Sequence, residues 1–179
     1  MSADRSYEPI DAQDLASLGR FAAEDREKFF EGRPEYRERL LCVALCQGAG
    51  QHYVDLAHGS TTPNGVKDFD VWSFFAAIPG ERFPADIRNS HVDLGESKFG
   101  RHPNEPERFA SFVGRRIDLF LRALPVDVDA DPARALEAYL AQKRTTSARY
   151  LAMKGVVLVE PKARQGEVVW PVAATPAAR

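Results

Sequence analysis

The hydrophobic positions in the first quarter of the chain follow a helical period. Between residues 12 and 31 the apolar side chains recur every three or four positions, which predicts one or two amphipathic helices. Pro34 favours the first position of a helix, so we expect another helix to begin there and to enter the apolar run at 40–46. The second half of that run, residues 43–46, is too short to show a period and is compatible with a helix or a buried strand.

Five later segments have the composition of strands. A stretch rich in Val, Trp and Phe at 67–78 and a stretch of alternating apolar and polar residues at 114–125 have the clearest strand patterns. Shorter apolar runs at 91–94, 155–161 and 167–171 predict three more strands. The chain is therefore predicted to contain a sheet as well as helices.

One long helix and one short helix are predicted between these strands. Asp131 and Pro132 are suited to begin a helix, and periodic apolar positions extend it to about Met153. A helix of one or two turns is expected at 106–113, and most of 81–105, rich in Gly, Pro and charge, is expected to be an ordered loop. This order of elements predicts a mixed α/β (α+β) fold.

The size and composition of the chain indicate one domain. The chain has 179 residues, of which 44% are hydrophobic and 28% are charged, and this balance is sufficient for one domain with a hydrophobic core. We expect residues 12–171 to form that domain. Residues 1–11 and 172–179 have no periodic pattern and are expected to be flexible tails.

The net charge and the length of the apolar runs determine which partners we expect. The net charge of −2 does not indicate nucleic-acid binding, although a local basic patch is compatible with it. No apolar run is long enough to cross a membrane and the first residues are acidic and polar, so we expect a cytoplasmic protein without a membrane partner. Cys42 and Cys46 lack the further ligands of a zinc site and are expected to be buried free thiols.

Two acids begin the aromatic strand predicted at 67–78. Side chains two positions apart on a strand emerge on the same face, so Asp68 and Asp70 point to one place while Phe69 and Val71 point away from it. Two carboxylates this close repel each other, and a bound cation is the usual way to stabilise them.

A third carboxylate from a neighbouring strand would complete a metal site. Asp118, in the alternating strand, is the preferred candidate, and Asp93, in the short strand at 91–94, is the alternative. With Asp68 and Asp70, either acid would give a group of oxygen ligands for one or two Mg²⁺ ions, with Mn²⁺ as the alternative metal. Such a group leaves positions for water and phosphate and supports phosphoryl transfer.

These residues resemble the signature of the nucleotidyltransferase fold superfamily. That signature combines an apolar residue, Gly, and Gly or Ser with a later strand of the pattern Asp-apolar-Asp/Glu-apolar, which DFDV at 68–71 matches. IDL at 117–119 matches the later apolar-Asp-apolar strand. The resemblance covers roughly residues 34–124. It implies a mixed sheet flanked by helices, and a Mg²⁺-dependent transfer of a nucleoside monophosphate from a nucleoside triphosphate to an acceptor hydroxyl.

The resemblance also implies roles for the three acids. Asp68 and Asp70 would ligate the metal that orients the triphosphate. Asp118 would complete a second metal site or accept the proton of the acceptor hydroxyl.

Several residues are candidates for binding phosphate. The glycine element of the signature is either Gly48 with Gly50 or Gly59 with Ser60, and their backbone N–H groups would approach phosphate oxygens. Three basic residues in and after the loop could hold phosphates or an anionic acceptor, or could make ordinary surface ion pairs. They are Lys98, Arg101 and Arg116.

Three functions are compatible with these features. The first is a nucleotidyltransferase that acts on a small molecule, a protein or an RNA end. The second is a binding or interaction protein, either a catalytically inactive member of the same fold or an unrelated α/β domain. The third is a metal-dependent phosphohydrolase that uses the same acids with water as the acceptor.

The predicted long helix carries three further basic residues, Lys143, Arg144 and Arg149. A basic helix face could bind an acidic partner, although most such faces only contact solvent. The acceptor and the choice of nucleotide leave no local motif in this sequence.

Overall fold

The computed structural model describes residues 5–84, 90–103 and 107–171. These ranges contain four α-helices, six β-strands and two single-turn 3-10 helices. In chain order the elements are α1 (Ala12–Gly32), a 3-10 turn (Pro34–Tyr36), β1 (Leu40–Cys46), α2 (Gln47–Ala57), β2 (Phe69–Ala76), β3 (Ser90–Asp93), β4 (Arg116–Leu124), α3 (Pro132–Gln142), α4 (Thr146–Leu151), β5 (Val156–Glu160), a 3-10 turn (Lys162–Arg164) and β6 (Val168–Trp170).

The six strands form one mixed sheet in the order β3-β4-β2-β1-β5-β6. The neighbours β2 and β4 run parallel, and the other neighbouring strands run antiparallel. Helices pack on both faces of this sheet. The predicted class, a mixed α/β fold with a mixed sheet flanked by helices, is confirmed.

The two faces of the sheet are covered by different helices. On β2, Val71 packs in a buried cluster with residues of α1 and α2, whereas Trp72 and Phe74 pack in a cluster with residues of α3 and α4. Side chains alternate along a strand, so β2 contributes to both clusters. Because both faces are buried, β1 and β2 appear in the sequence as nearly continuous apolar runs.

The predicted N-terminal helix is confirmed as the single helix α1. Its N-cap is Asp11, whose carboxylate accepts hydrogen bonds from the backbone of Gln13 and Asp14, while the Asp14 carboxylate accepts one from the Asp11 backbone. This capping box satisfies N–H groups that have no partner within the helix. The buried side of α1 includes Leu15 and Leu18, which face the sheet.

The helix predicted to begin at Pro34 is wrong. Only the 3-10 turn Pro34–Tyr36 forms there, and the run after it is the strand β1. Strand β1 is hydrogen-bonded to β2 on one side and to β5 on the other. Because these partners are distant in the sequence, the tertiary pairing overrides a local pattern that has no period of its own.

Helix α2 was not predicted. Its sequence contains two glycines, Gly48 and Gly50, which are poor helix formers and favoured a loop interpretation. A Cβ atom on Gly50 would lie 2.2 Å from the carbonyl oxygen of Gly155 and 2.8 Å from that of Leu45. Gly50 therefore allows α2 to pack directly against the backbone at the start of β5.

The long helix predicted between Asp131 and Met153 is two helices. The predicted start is confirmed, since the Asp131 carboxylate caps α3 through the backbone N–H of Arg134. Lys143 then adopts the left-handed conformation that ends α3, and the Thr145 hydroxyl caps α4. The described part of the short helix predicted at 106–113 forms hydrogen-bonded turns instead, and Pro106 lies outside the described residues.

Part of the predicted N-terminal tail lies on the domain. Ser6 forms a β-bridge with Val66, and the Nε2 atom of His52 is hydrogen-bonded to the carbonyl of Glu8. Residues 1–4 and 172–179 lie outside the described residues, so the flexible tails and the domain limits remain predictions. Within the described ranges, no helix is long and apolar enough to cross a membrane.

Candidate functional site

The parallel strands β2 and β4 bring three aspartates to one place. Asp70 on β2 lies directly opposite Asp118 on β4, and both are near the start of their strands. Their side chains emerge on the face that also carries Trp72, the face covered by α3 and α4. Asp68 precedes β2 by one residue and lies two positions before Asp70, so it projects from the same side.

The three aspartates line one cavity of about 360 Å³. Ten residues surround it, and almost all of them are charged or polar. They are Arg5, Gln47, Gly48, Lys67, Asp68, Asp70, Arg116, Asp118, Tyr150 and Lys154. Three carboxylates and four cations in so small a volume suit a ligand that itself combines positive and negative charge, as a metal-bound phosphate does.

Arg116 connects two of the aspartates. Its Nη2 atom lies 2.9 Å from Oδ2 of Asp118 and 3.1 Å from Oδ2 of Asp68. The guanidinium carbon also lies 5.0 Å from the centre of the Phe109 ring, a cation–π distance. The guanidinium therefore neutralises two carboxylates at the point where a bound cation would otherwise do so.

His91 occupies the other oxygen of Asp118. The two residues are paired across β3 and β4, and Nδ1 of His91 is hydrogen-bonded to Oδ1 of Asp118. The same histidine ring packs edge-on against Phe109. Both carboxylate oxygens of Asp118 thus have a partner, and this fixes the orientation of its side chain.

Asp70 differs from the other two aspartates. Among the described residues its carboxylate has no hydrogen-bond or ion-pair partner. Burial, followed by the charges of Asp68 and Asp118, raises the pKa of Asp70 to about 7. A cation bound beside Asp70 would favour its ionised form.

The start of α2 forms one wall of the cavity. Gln47 is its first residue, has a positive φ of 55°, and donates from Nε2 to the carbonyl of Tyr150 at 2.8 Å. Gly48 follows it and also lines the cavity. Since the N-terminal end of a helix carries partial positive charge, this wall favours an anionic group.

Three residues of the predicted glycine elements, Gly50, Gly59 and Ser60, lie outside the lining of this cavity. Gly50 packs against Gly155, as described above. Gly59 follows the end of α2, and the hydroxyl of Ser60 accepts a hydrogen bond from the backbone of Thr62. Of the predicted glycine elements, the structure thus places only Gly48 beside the aspartates.

The predicted loop residues Lys98 and Arg101, and Asp93 of β3, also lie outside the lining. Lys98 pairs with Asp11 at 2.8 Å and with Asp14 at 2.9 Å, and the first contact lowers the pKa of Asp11 to about 2. Arg101 is exposed.

The Asp93 carboxylate accepts hydrogen bonds from the backbone of Gly95, Val113 and Gly114, so it holds two loop segments together. Of the two candidates for the third carboxylate, only Asp118 lies with Asp68 and Asp70.

Several residues of the cavity had no signal in the sequence. Tyr150 and Lys154 come from α4 and the turn after it, about eighty residues beyond Asp70. Arg5 belongs to the predicted tail, and it donates to the carbonyls of Asn64 and Gly65. Only a three-dimensional arrangement brings such distant segments together.

The donor atoms of this site fit a hard divalent cation. Carboxylate oxygens are the ligands that Mg²⁺ and Mn²⁺ prefer, and Asp70 is partly buried without a partner among the described residues. In the described ranges, however, no group of three or more His, Cys, Asp or Glu side chains is arranged to hold a metal ion. Metal binding by all three aspartates therefore requires Arg116 to move from its bridging position.

The two cysteines and Trp72 are buried within the fold. Cys42 and Cys46 are buried free thiols, as predicted, and burial raises the pKa of Cys42 to about 12. Trp72 is buried and stacks on Phe120 with ring centres 4.6 Å apart.

Comparison of the chain with known protein families, curated proteins and solved structures found no match.

Proposed function

We propose that this protein is a Mg²⁺-dependent nucleotidyltransferase, with Mn²⁺ as the alternative ion. The observation that supports the proposal is the meeting of Asp68, Asp70 and Asp118 from two parallel strands in one charged cavity. The substrate would be a nucleoside triphosphate, and the product would be a nucleoside monophosphate joined to an acceptor hydroxyl.

Each charged group of the cavity has a role in this proposal. Asp68, Asp70 and Asp118 would hold the metal, which when bound would draw electron density from the phosphate and neutralise its charge. Arg5, Lys67 and Lys154 would bind the oxygens of the triphosphate, and the start of α2 would add its partial positive charge.

Arg116 and His91 have distinct roles in the same proposal. Arg116 would leave the carboxylates and bind phosphate when the substrate enters, because phosphate suits its guanidinium group as well as carboxylate does. His91 would hold Asp118 in a fixed orientation.

A second candidate is a nucleotide-binding protein that performs no transfer. The salt bridges of Arg116 with Asp68 and Asp118 favour it, because a permanently bound guanidinium would neutralise the acids and leave no site for a metal. In that protein the basic residues of the cavity would bind a phosphorylated ligand without Mg²⁺.

Label transfer tests the proposal. The protein is incubated with Mg²⁺ and each α-³²P-labelled nucleoside triphosphate, together with short oligonucleotides, a mixture of amino acids and sugars, and the protein itself as acceptors. We expect label on one class of acceptor, and we expect the Asp68→Asn, Asp70→Asn double variant to lose it. Asp129→Asn is the matched control, since this exposed aspartate lies outside the cavity lining.

The products separate the alternatives. Release of free labelled monophosphate that depends on Asp70 would support a phosphohydrolase and contradict transfer. Nucleotide binding without any labelled product, with or without Mg²⁺, would support the second candidate. Label transfer that persists in the double variant would exclude the cavity as the active site.

A further inference from the structure

Positive charge is concentrated in one segment of this chain. Residues 138–159 contain four basic residues and no Asp or Glu, so the net charge of −2 is composed of +4 in this segment and −6 in the rest of the chain. Such separation is not visible in the overall charge. It gives the segment a local positive potential that attracts anions.

None of these four basic side chains is neutralised by a carboxylate of the described residues. Elsewhere in the fold, Arg26, Arg37, Arg116 and Arg164 form ion pairs. In this segment the only side-chain hydrogen bond from a basic residue runs from Arg149 to the Thr146 hydroxyl, at 3.4 Å. The charges of Lys143, Arg144 and Arg149 are thus available to an external partner, whereas Lys154 lies at the cavity and acts on Asp70.

Two exposed non-charged side chains accompany these cations. Tyr150 is 52% exposed and Met153 is 76% exposed. We call Lys143, Arg144, Arg149, Tyr150, Met153 and Lys154 the basic α4 surface. Arg149 and Tyr150 belong to α4, Lys143 and Arg144 precede it, and Met153 and Lys154 follow it, so all six lie within residues 143–154.

The basic α4 surface is continuous with the cavity that holds the three aspartates. Tyr150 and Lys154 belong to both, and the backbone carbonyl of Tyr150 accepts the hydrogen bond from Gln47 at the start of α2. A long anion bound on this surface would therefore have one end beside Asp68, Asp70 and Asp118.

We propose that the basic α4 surface binds a single-stranded nucleic acid and places its terminal hydroxyl in the cavity. Unpaired cations bind the phosphates, and the exposed ring of Tyr150 provides a face on which a base stacks. An acidic protein segment would match the cations but gains nothing comparable from the tyrosine ring. The role of the nucleic acid as the acceptor rests on the proposed function, whereas its binding does not.

The transfer forms one phosphorus–oxygen bond and breaks another. The terminal hydroxyl oxygen of the nucleic acid forms a bond to the α-phosphorus of the nucleoside triphosphate. The bond from that phosphorus to the pyrophosphate oxygen breaks, and pyrophosphate leaves with the electron pair. The hydroxyl proton passes to Asp118. The nucleic acid is thus extended by one nucleotide.

Fluorescence anisotropy tests the binding step without Mg²⁺ or nucleotide. The probes are fluorescein-labelled oligo(U) and oligo(dT) of about twenty nucleotides, which compare RNA with DNA, and the competitor is polyglutamate. We expect the triple variant Lys143→Glu, Arg144→Glu, Arg149→Glu to bind at least about tenfold more weakly. The slope of log K against log salt should become shallower by about 2, because three phosphate contacts are lost.

A matched variant controls for net charge. Lys28→Glu, Arg82→Glu, Lys162→Glu makes the same change in charge at exposed residues outside the basic α4 surface, and we expect its affinity to equal that of the wild type. Tyr150→Ala should weaken binding about fivefold or more, and Tyr150→Phe should retain the wild-type affinity because the stacking face is kept. Equal effects of the two charge reversals would overturn the proposal. So would displacement of the oligonucleotide by polyglutamate at equal charge concentration.

Failure of this inference is distinguishable from failure of the proposed function. Oligonucleotide binding that depends on the surface, without label transfer to a free 3′ hydroxyl, would keep the surface and reject the transferase. Label transfer to another acceptor, without oligonucleotide binding, would keep the transferase and reject the surface. An oligonucleotide with a blocked 3′ end should bind equally and accept no label.

Discussion

Asp70 combines partial burial with two neighbouring negative charges. Its pKa is raised to about 7, so the folded protein keeps the proton on Asp70 at pH values where the unfolded chain has already released it. Between about pH 4 and pH 7 the unfolded state therefore binds fewer protons, and the free energy of unfolding falls as the pH rises. Above pH 7 this cost is constant, and below pH 4 it is absent.

The Asp70→Asn variant tests this effect. We expect it to be more stable than the wild type at pH 8, by on the order of 2 kcal/mol, and to lose this advantage at pH 4. Urea denaturation at both pH values measures the difference, with Asp129→Asn as the control. A wild-type stability that does not fall between pH 4 and pH 7 relative to Asp70→Asn would contradict the raised pKa.

Arg116 is an internal competitor of a bound metal. Its Nη2 atom lies within 3.1 Å of oxygens on Asp68 and Asp118. Replacing it with glutamine removes the cation that contacts both Asp68 and Asp118 and leaves Lys67 at 4.0 Å from Asp68, so the Arg116→Gln variant should unfold at lower temperature than the wild type in the absence of divalent ions.

Added Mg²⁺ should have the opposite effect on this variant. Without the guanidinium the ion binds without a competing cation, and we expect the Mg²⁺ concentration for half-maximal thermal stabilisation to fall about tenfold or more. Arg116→Lys keeps a cation and should stay close to the wild type. Equal Mg²⁺ responses in wild type and Arg116→Gln would show that Arg116 does not occupy the metal position.

At the scale of elements, the close contact between α2 and β5 holds one wall of the cavity. Gly50→Ala would place a Cβ atom 2.2 Å from the carbonyl oxygen of Gly155, and backbone atoms on both sides resist a shift. We expect a loss of about 3 kcal/mol or more in the free energy of unfolding.

Gly32→Ala is the matched control for this prediction. It lies at the last residue of α1 with no atom within 4 Å of the added methyl group, and we expect no loss and a gain of up to about 1 kcal/mol. Chemical denaturation of both variants makes the comparison. Equal stabilities would mean that α2 does not pack closely on the start of β5.

The elements that were predictable have a clear period or composition. Strand β4 alternates because it has one apolar side facing α1, and helix α1 has a regular apolar stripe next to a strong N-cap. Strand β1 was predictable only as one of two alternatives for residues 43–46, because both of its faces are buried and its neighbours come from distant residues. Helix α2 was missed because Gly50 is required by contact with another segment rather than by the local backbone.

At the scale of the whole molecule, opposite charges lie side by side on one face of the sheet. The cavity with the three aspartates lies at the starts of β2 and β4, and the basic α4 surface adjoins it through Tyr150 and Lys154. Under the two proposals this arrangement separates the tasks of metal binding and acceptor binding.

The candidate site was partly predictable from the sequence. The spacing of Asp68 and Asp70 and the pattern around Asp118 indicated a shared site because strand periodicity determines which side chains share a face. The roles of Gln47, Tyr150 and Lys154 depend on the docking of α2 and α4, which local sequence does not encode. Lys98 was a plausible phosphate ligand by composition, yet its ammonium group pairs with Asp11 and Asp14.

The central claim is that Asp68, Asp70 and Asp118 form one site for a metal-bound nucleotide. Isothermal titration calorimetry with a non-hydrolysable nucleoside triphosphate, in the presence and absence of Mg²⁺, tests it most directly. We expect binding that requires Mg²⁺ and that weakens at least about tenfold, or 1.4 kcal/mol, in the Asp68→Asn, Asp70→Asn double variant, while the Asp129→Asn variant binds as the wild type does. Nucleotide binding that is equally strong without Mg²⁺, or unchanged in the double variant, would contradict it.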